Sequence, residues 1–129
     1  MPAAVSIMGL HLHYRLWISE LNQDITVLRI FDDYLGEIKN KKVEPGVQKE
    51  VDQFKNRFVE FRKEIDELRH LMHLNKMKLA AESREGAKIS REELESENHT
   101  GLEKRYLEFR QSFDRSKSEF VSFEGKWLQ

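Results

Sequence analysis

Apolar residues recur along three segments of the chain at alternating steps of three and four, the spacing of one face of an α-helix. The clearest series lies in the middle segment and continues over roughly four heptads, which is typical of coiled-coil packing. Asn75 is its one polar member. The series consists of Val47, Val51, Phe54, Phe58, Phe61, Ile65, Leu68, Met72, Asn75 and Leu79.

The first and last segments carry comparable stripes. The first is broad enough to contact two neighbouring helices at once, because two heptad frames can be traced through it. Its members are Tyr14, Trp17, Ile18, Leu21, Ile25, Leu28, Phe31, Leu35 and Ile38. The last stripe consists of Leu102, Tyr106, Phe109, Phe113, Ser116, Phe120, Phe123 and Trp127.

Two interruptions separate these segments. Pro45-Gly46 breaks the first, and the stretch 83–90, with Gly86 near its middle, breaks the second. Ser90 and Glu93 fit a capping box at a helix start, whereas residues 98–101 are poor helix formers. The sequence therefore predicts helices over about 12–40, 46–83 and 90–127, preceded by a flexible or loosely packed segment 1–10.

Short connections make consecutive helices antiparallel. The fold class we expect is all-α: a single domain, 1–129, forming an up-down-up three-helix bundle with heptad packing. Antiparallel register pairs Phe54 with Phe120 and Phe61 with Phe113, and it brings Tyr14 beside Met72. It also gathers an aromatic layer at the end of the bundle that holds the first turn. The predicted layer comprises Phe54, Phe58, Phe61, Phe113, Phe120, Phe123 and Trp127.

A few polar residues interrupt the apolar stripes. Asn75 lies in the second, Ser116 in the third, and either Asp24 or Asp32 in the first, depending on the heptad frame. A polar residue at a core position commonly fixes the register of packed helices at some cost in stability. We interpret these three positions in that way.

Charge narrows the classes of function. Charged residues make up 35% of the chain and the net charge is −1, with a slightly basic middle segment between two slightly acidic ones. Such a balance argues against nucleic-acid binding, which depends on neutralising phosphates. It equally argues against attachment to an anionic membrane, and no apolar run is long enough to span one. Residues 1–10 lack the basic start of a secretory signal, so we expect a cytoplasmic protein.

One group of residues could carry chemistry. The predicted register brings His11, Asn75 and His99 together at the end of the bundle opposite the aromatic layer, with His13 and Glu95 within possible reach. Histidines and carboxylates from separate helices are how helical bundles build metal sites. The simpler interpretation is a solvated bundle end, and it implies neither a metal nor a cofactor.

The sequence contains no sign of catalysis. It has no cysteine, no glycine-rich phosphate loop and no nucleophile motif, and a slender bundle offers little concavity for an active site. In general outline the chain resembles a spectrin-type repeat: an antiparallel three-helix unit with Trp17 in its first helix and an aromatic-rich last helix. That resemblance concerns architecture and implies no functional residue.

The most economical hypothesis is a non-catalytic protein-protein interaction or scaffolding module. Its partner would be another protein or a second copy of the chain, because the broad first stripe, including Trp17 or Phe31, could leave apolar surface uncovered and support a homodimer. The alternative hypothesis is a bundle that binds a metal or small ligand at its histidine-bearing end.

Overall fold

A computed structural model of the protein describes residues 7–41, 44–84 and 97–127, which form three α-helices. Helix α1 spans Ile7–Asn40, α2 spans Pro45–Arg84 and α3 spans Leu102–Trp127. The part of the chain so described contains no strand, and its helices pack side by side. The predicted all-α bundle is therefore confirmed. None of the described helices has the length and apolarity needed to cross a membrane.

Helix α1 begins earlier than predicted. It starts at Ile7 rather than near residue 12, and Leu10 is already buried in the core. The helix therefore covers residues 7–10 of the predicted loose segment, and Leu10 is anchored in the core, whereas Met8 is exposed. Residues 1–6 lie outside the described ranges.

The first turn follows the predicted chemistry closely. Lys41 N–H donates to the carbonyl of Ile38 at the end of α1. The carbonyl of Glu44 then accepts from Val47 and Gln48 at the start of α2. Pro45 occupies the first helical position, where its missing N–H costs nothing and its fixed φ suits a helix.

A π-helical turn precedes α3. It covers Glu97–Gly101 and passes into regular α-helix at Leu102. The prediction that residues 98–101 would depart from regular helix is confirmed. The predicted capping box at Ser90 and Glu93 lies outside the described residues.

Helices α1 and α3 run parallel, and α2 runs antiparallel to both. The rings of Phe54 and Phe120 lie 5.3 Å apart and those of Phe61 and Phe113 lie 5.2 Å apart, which confirms both predicted pairs between α2 and α3. The shared core contains buried residues from all three helices. It comprises Leu10, Tyr14, Leu21, Ile25, Leu28, Leu35, Ile38, Val47, Val51, Phe54, Phe58, Ile65, Leu68, Met72, Leu79, Leu102, Tyr106, Phe109, Phe113, Phe120 and Phe123.

Four residues of the predicted aromatic layer, Phe54, Phe58, Phe120 and Phe123, form one group of ring contacts, while Phe61 and Phe113 contact each other and Phe109. Phe120 lies within ring contact of Phe54, Phe58 and Phe123. Phe31 of α1 joins this layer, with its ring 4.5 Å from that of Phe120 and 5.6 Å from that of Phe58. Aromatic contacts from three helices therefore close this end of the bundle. The side chain of Trp127 lies outside the described set.

The Tyr14 side chain reaches past its predicted neighbour on α2. Tyr14 was expected beside Met72, and its hydroxyl lies 3.3 Å from the side-chain amide of Asn75. Helical side chains lean toward the N-terminus of their own helix, which on an antiparallel neighbour is the direction from Met72 to Asn75. The Tyr14 hydroxyl is therefore the group bonded to Asn75, where the prediction had placed His11.

Candidate functional site

The histidine-bearing end of the bundle contains a buried hydrogen-bonded group formed by Tyr14, Asn75 and His99. The Tyr14 hydroxyl lies 2.6 Å from Nδ1 of His99 and accepts a 3.3 Å hydrogen bond from the amide nitrogen of Asn75. The tautomer of the imidazole decides which of the two groups donates in the bond between Tyr14 and His99. Each of the three helical regions supplies one member.

This geometry brings together two of the five residues proposed as ligands. Asn75 and His99 both contact the hydroxyl of Tyr14, a residue whose spacing predicted only a place in the apolar core. His13 is exposed, with its ring 5.7 Å from that of Trp17, and His11 is half-buried on α1. Glu95 lies outside the described residues.

Metal binding has little support from the described part of this end. Nδ1 of His99 is engaged by Tyr14. Across residues 7–41, 44–84 and 97–127, no three His, Cys, Asp or Glu side chains are grouped to hold a metal ion. The hydrogen-bonded group joins the three helical regions, because the Tyr14 hydroxyl of α1 meets both of its partners only when α2 and the π-helical turn are in place.

A second polar cluster lies between α1 and α3, further from the histidine-bearing end of the bundle. Arg110 makes a bidentate pair with the buried carboxylate of Asp24, at 3.1 and 2.6 Å. Its Nε lies 2.9 Å from Oε1 of Glu20 without hydrogen-bond alignment. The Tyr106 hydroxyl donates to the other Glu20 oxygen at 2.8 Å. We refer to Glu20, Asp24, Tyr106 and Arg110 as the arginine cluster.

The sequence predicted only part of the arginine cluster. Asp24 was one of two candidates for an inward polar residue on the first helix, and the structure resolves that choice, since Asp24 is buried and Asp32 is exposed. Arg110 was missed because it follows Phe109 at the margin of the apolar stripe. An arginine at such a position can bury its aliphatic stem and still present its charged group to a carboxylate.

The other inward polar residues also have partners. Ser116 accepts a 3.1 Å hydrogen bond from Arg57, which also forms an exposed ion pair with Glu119. Arg105 of α3 reaches both Glu64 and Glu67 of α2. These contacts specify how α2 and α3 align, although partly exposed pairs contribute little stability each.

Burial and hydrogen bonding shift the pKa values of Tyr14, Tyr106 and Arg110. Desolvation raises the pKa of Tyr106 to about 12, with the hydrogen bond to Arg110 acting in the opposite direction. Burial likewise raises the pKa of Tyr14, while its hydrogen bond to Asn75 lowers it. For Arg110, desolvation lowers the pKa but is outweighed by the hydrogen bonds and charge of Asp24, so the pKa is raised overall. At neutral pH both phenols are protonated and Arg110 is charged.

Open grooves lie on the surface of the bundle. One of about 270 Å³ lies between α1 and α2, with Leu28 and Phe58 among its lining residues and Arg29, Lys55 and Arg62 among its charged ones. A smaller one of about 140 Å³ lies between α1 and α3, beside Tyr34 and Val121. Neither of these two grooves is lined by the Tyr14 group or by the arginine cluster.

The accessible feature of α1 is an apolar outer face. Leu12, Leu16, Ile30 and Tyr34 are exposed by 52%, 56%, 47% and 41%, and Val27 between them is partly buried. Around a helix of 3.6 residues per turn these side chains fall within roughly 60° of one another, on the side away from the core. We call these five residues the outer stripe.

The outer stripe corrects one expectation. Trp17 and Phe31 were expected to be the uncovered residues, yet both pack against the core, where they contact Tyr106 and Phe120 of α3. The first stripe is wide because it faces two helices, as predicted. The exposed apolar surface comes instead from the outer stripe, whose members are separated along the sequence by polar residues.

Comparisons with known proteins give no relative: no family model, no curated protein and no solved structure matches the chain.

Proposed function

We propose that this protein is a non-catalytic protein-protein interaction module that binds through the outer stripe of α1, to another protein or to a second copy of itself. The observation that carries the proposal is the exposure of four large apolar side chains on one helical face. Exposed apolar surface is costly in water, and contiguous apolar patches mark interaction sites. The proposal includes a cytoplasmic location, which cell fractionation would test.

The polar groups of the bundle support a non-catalytic role. Tyr14, Asn75 and His99 bond to one another, and Arg110 is bonded to Asp24 and Tyr106. An acid, base or nucleophile must instead reach a substrate in a cleft. Polar residues that hydrogen-bond to each other between packed helices stabilise the packing and fix the register of those helices.

Site-specific photo-cross-linking tests the proposal. A photoreactive phenylalanine analogue replaces Leu16 in the full chain, and the control carries it at Leu74, which is exposed by 49% on α2. In extract of the cells that express the protein, we expect protein adducts from position 16 and few from position 74. An excess of unlabelled wild-type chain should suppress them. Equal yields from both positions, or adducts unaffected by the competitor, would refute a binding role for the outer stripe.

The alternative function, binding of a metal or small ligand at the histidine-bearing end, is separable by a simple measurement. Saturating zinc or nickel would raise the melting temperature of a protein that binds it in the folded state. We expect no rise at metal concentrations of about 100 μM, since a site of micromolar affinity would give roughly 2.7 kcal/mol there. A rise that is abolished by His11→Ala with His99→Ala would favour the alternative instead.

A further inference from the structure

The outer stripe is arranged symmetrically about Gln23. Reading outward from this residue, Val27 is balanced by Ser19, Ile30 by Leu16 and Tyr34 by Leu12. Within each large pair, Leu16 with Ile30 and Leu12 with Tyr34, the two members are equally far from Gln23 along the chain. The side chains between the pairs are small or polar. Gln23 and Ser19 are both exposed.

This order is what an interface between two identical helices requires. In a twofold contact the same surface is used by both partners, so a residue a given distance before the axis meets the one an equal distance after it. An antiparallel second α1 would place its Tyr34 on Leu12 and its Ile30 on Leu16. Two Gln23 side chains would then meet at the axis, where amides can donate to and accept from each other.

Charges along one edge of the stripe support the same orientation. Arg15 and Asp33 are both exposed and lie on the same side of the stripe around the helix. In antiparallel pairing like edges face each other, so Arg15 of each copy approaches Asp33 of the other. In a parallel pairing unlike edges face each other, so Arg15 would face the opposite edge of the partner and this attraction would be absent.

The other edge of the stripe tolerates coverage. Glu20 lies there, and its carboxylate is already paired with Arg110 and hydrogen-bonded by Tyr106. A partner helix that removed water from this edge would therefore not leave an isolated charge. Val121 of α3 lies beside Tyr34 and is exposed by 59%, which extends the apolar area beyond α1.

We infer that α1 pairs with α1 of a second copy, antiparallel, with Gln23 of both copies at the twofold axis. The inference rests on the proposed function of the outer stripe and names its partner. From Leu12 to Tyr34 the stripe is about 33 Å long. A contact of one helix per copy is at the small end of stable interfaces, so the dimer dissociates in the micromolar range.

Engineered cysteines test the geometry directly, because the chain has no cysteine of its own. Gln23→Cys should form a covalent dimer readily under mild oxidation or with a short bis-maleimide. Leu16→Cys alone should not, since antiparallel pairing separates the two copies of position 16 by about 21 Å along the axis, far beyond disulfide reach. An equal mixture of Leu16→Cys and Ile30→Cys chains should cross-link to each other.

Sedimentation of the uncross-linked chain gives an independent measure. We expect wild type to shift from monomer to dimer as concentration rises through the micromolar range. The double variant L16E/I30E should remain monomeric, while the control L74E, at a comparably exposed site on α2, should dimerise like wild type. Circular dichroism must show unchanged helicity in each variant, which these exposed positions permit.

The failures of the two proposals are distinguishable. A wild-type chain that stays monomeric at hundreds of micromolar overturns the self-pairing inference, as does efficient Leu16→Cys self-cross-linking, which signals parallel pairing. If position 16 nevertheless captures a different protein in cell extract, the interaction function stands. If neither self-pairing nor capture occurs, both proposals fail.

Discussion

Asp24 and Arg110 are the residues whose separation should cost the bundle most stability. Asp24 is buried and makes two hydrogen bonds to the guanidinium. Removing one partner of a buried pair leaves the other charge poorly compensated, a loss of about 3–5 kcal/mol. Glu20 remains beside Arg110, so the lower end of that range applies.

We therefore expect Asp24→Ala to lower the free energy of unfolding by about 3 kcal/mol in urea titration. Glu119→Ala, which breaks the exposed pair with Arg57, is the matched control and should cost less than about 1 kcal/mol. The double variant D24L/R110M should regain most of the loss, because apolar replacements of both partners remove the uncompensated charge. Equal losses for D24A and E119A would contradict this account.

Tyr106 makes stability depend on alkaline pH. Burial raises its pKa to about 12 in the folded protein, against about 10 in an unfolded chain. The stabilisation linked to its protonated form is thus fully present below pH 10 and is lost as pH rises towards 12.

The difference in unfolding free energy between wild type and Tyr106→Phe measures this effect, because other groups that titrate in this range are shared by both proteins. At neutral pH the variant should be less stable by about 1 kcal/mol, the typical worth of a hydrogen bond such as that to Glu20. We expect the difference to fall through zero and reverse sign between pH 10 and 12, because two pKa units correspond to about 2.7 kcal/mol. A difference that is constant over that interval would mean that the phenol is not perturbed.

At the scale of the elements, each helix is determined by its apolar stripe and by the residues that end it. Gly36 is an exception inside α1, since glycine weakens a helix interior by leaving the unfolded backbone unusually free. A Cβ added at Gly36 would meet nothing within 4 Å. No packing reason therefore opposes a larger residue there.

Gly36→Ala should raise the unfolding free energy by about 0.5–1 kcal/mol. Gly125 also has an open surrounding, but it lies in the last turn of α3, where helices fray, so Gly125→Ala should gain less. Position 36 lies off the outer stripe, and the variant should dimerise like wild type. Destabilisation by G36A would show that the α1 backbone there is not ordinary helix.

At the scale of the whole molecule, the described bundle has two chemically different ends and an exposed apolar face on α1. Phenylalanines from three helices close one end, and the Tyr14 group closes the other. The outer stripe belongs to neither. Its burial in a second copy would link folding to association.

That linkage predicts a melting temperature that depends on protein concentration. Association of folded chains stabilises them by mass action, so wild type should melt several degrees higher when concentration rises a hundredfold through the micromolar range. L16E/I30E should melt at one temperature throughout, and L74E should follow wild type. A wild-type melting temperature independent of concentration would contradict self-association.

Much of the bundle was predictable because its determinants are local or periodic. The stripe from Val47 to Leu79 implies one long helix whatever it packs against, and Pro45 implies its start. The α2–α3 register followed from two aromatic series of matching spacing. By contrast, the partner of Asn75 depends on how far individual side chains reach, and the long Tyr14 side chain rather than His11 bonds to it.

The sequence alone therefore determined the fold class, the helices and the aromatic end, because periodic burial and turn residues act over a few neighbouring positions. Only the tertiary structure decided which polar residues meet and which apolar ones stay exposed. Asp24 and Arg110 are joined across 86 positions, and no local pattern encodes such a contact. The exposure of Leu12 and Tyr34 likewise results from where α2 and α3 stop covering α1, a property of packing in three dimensions.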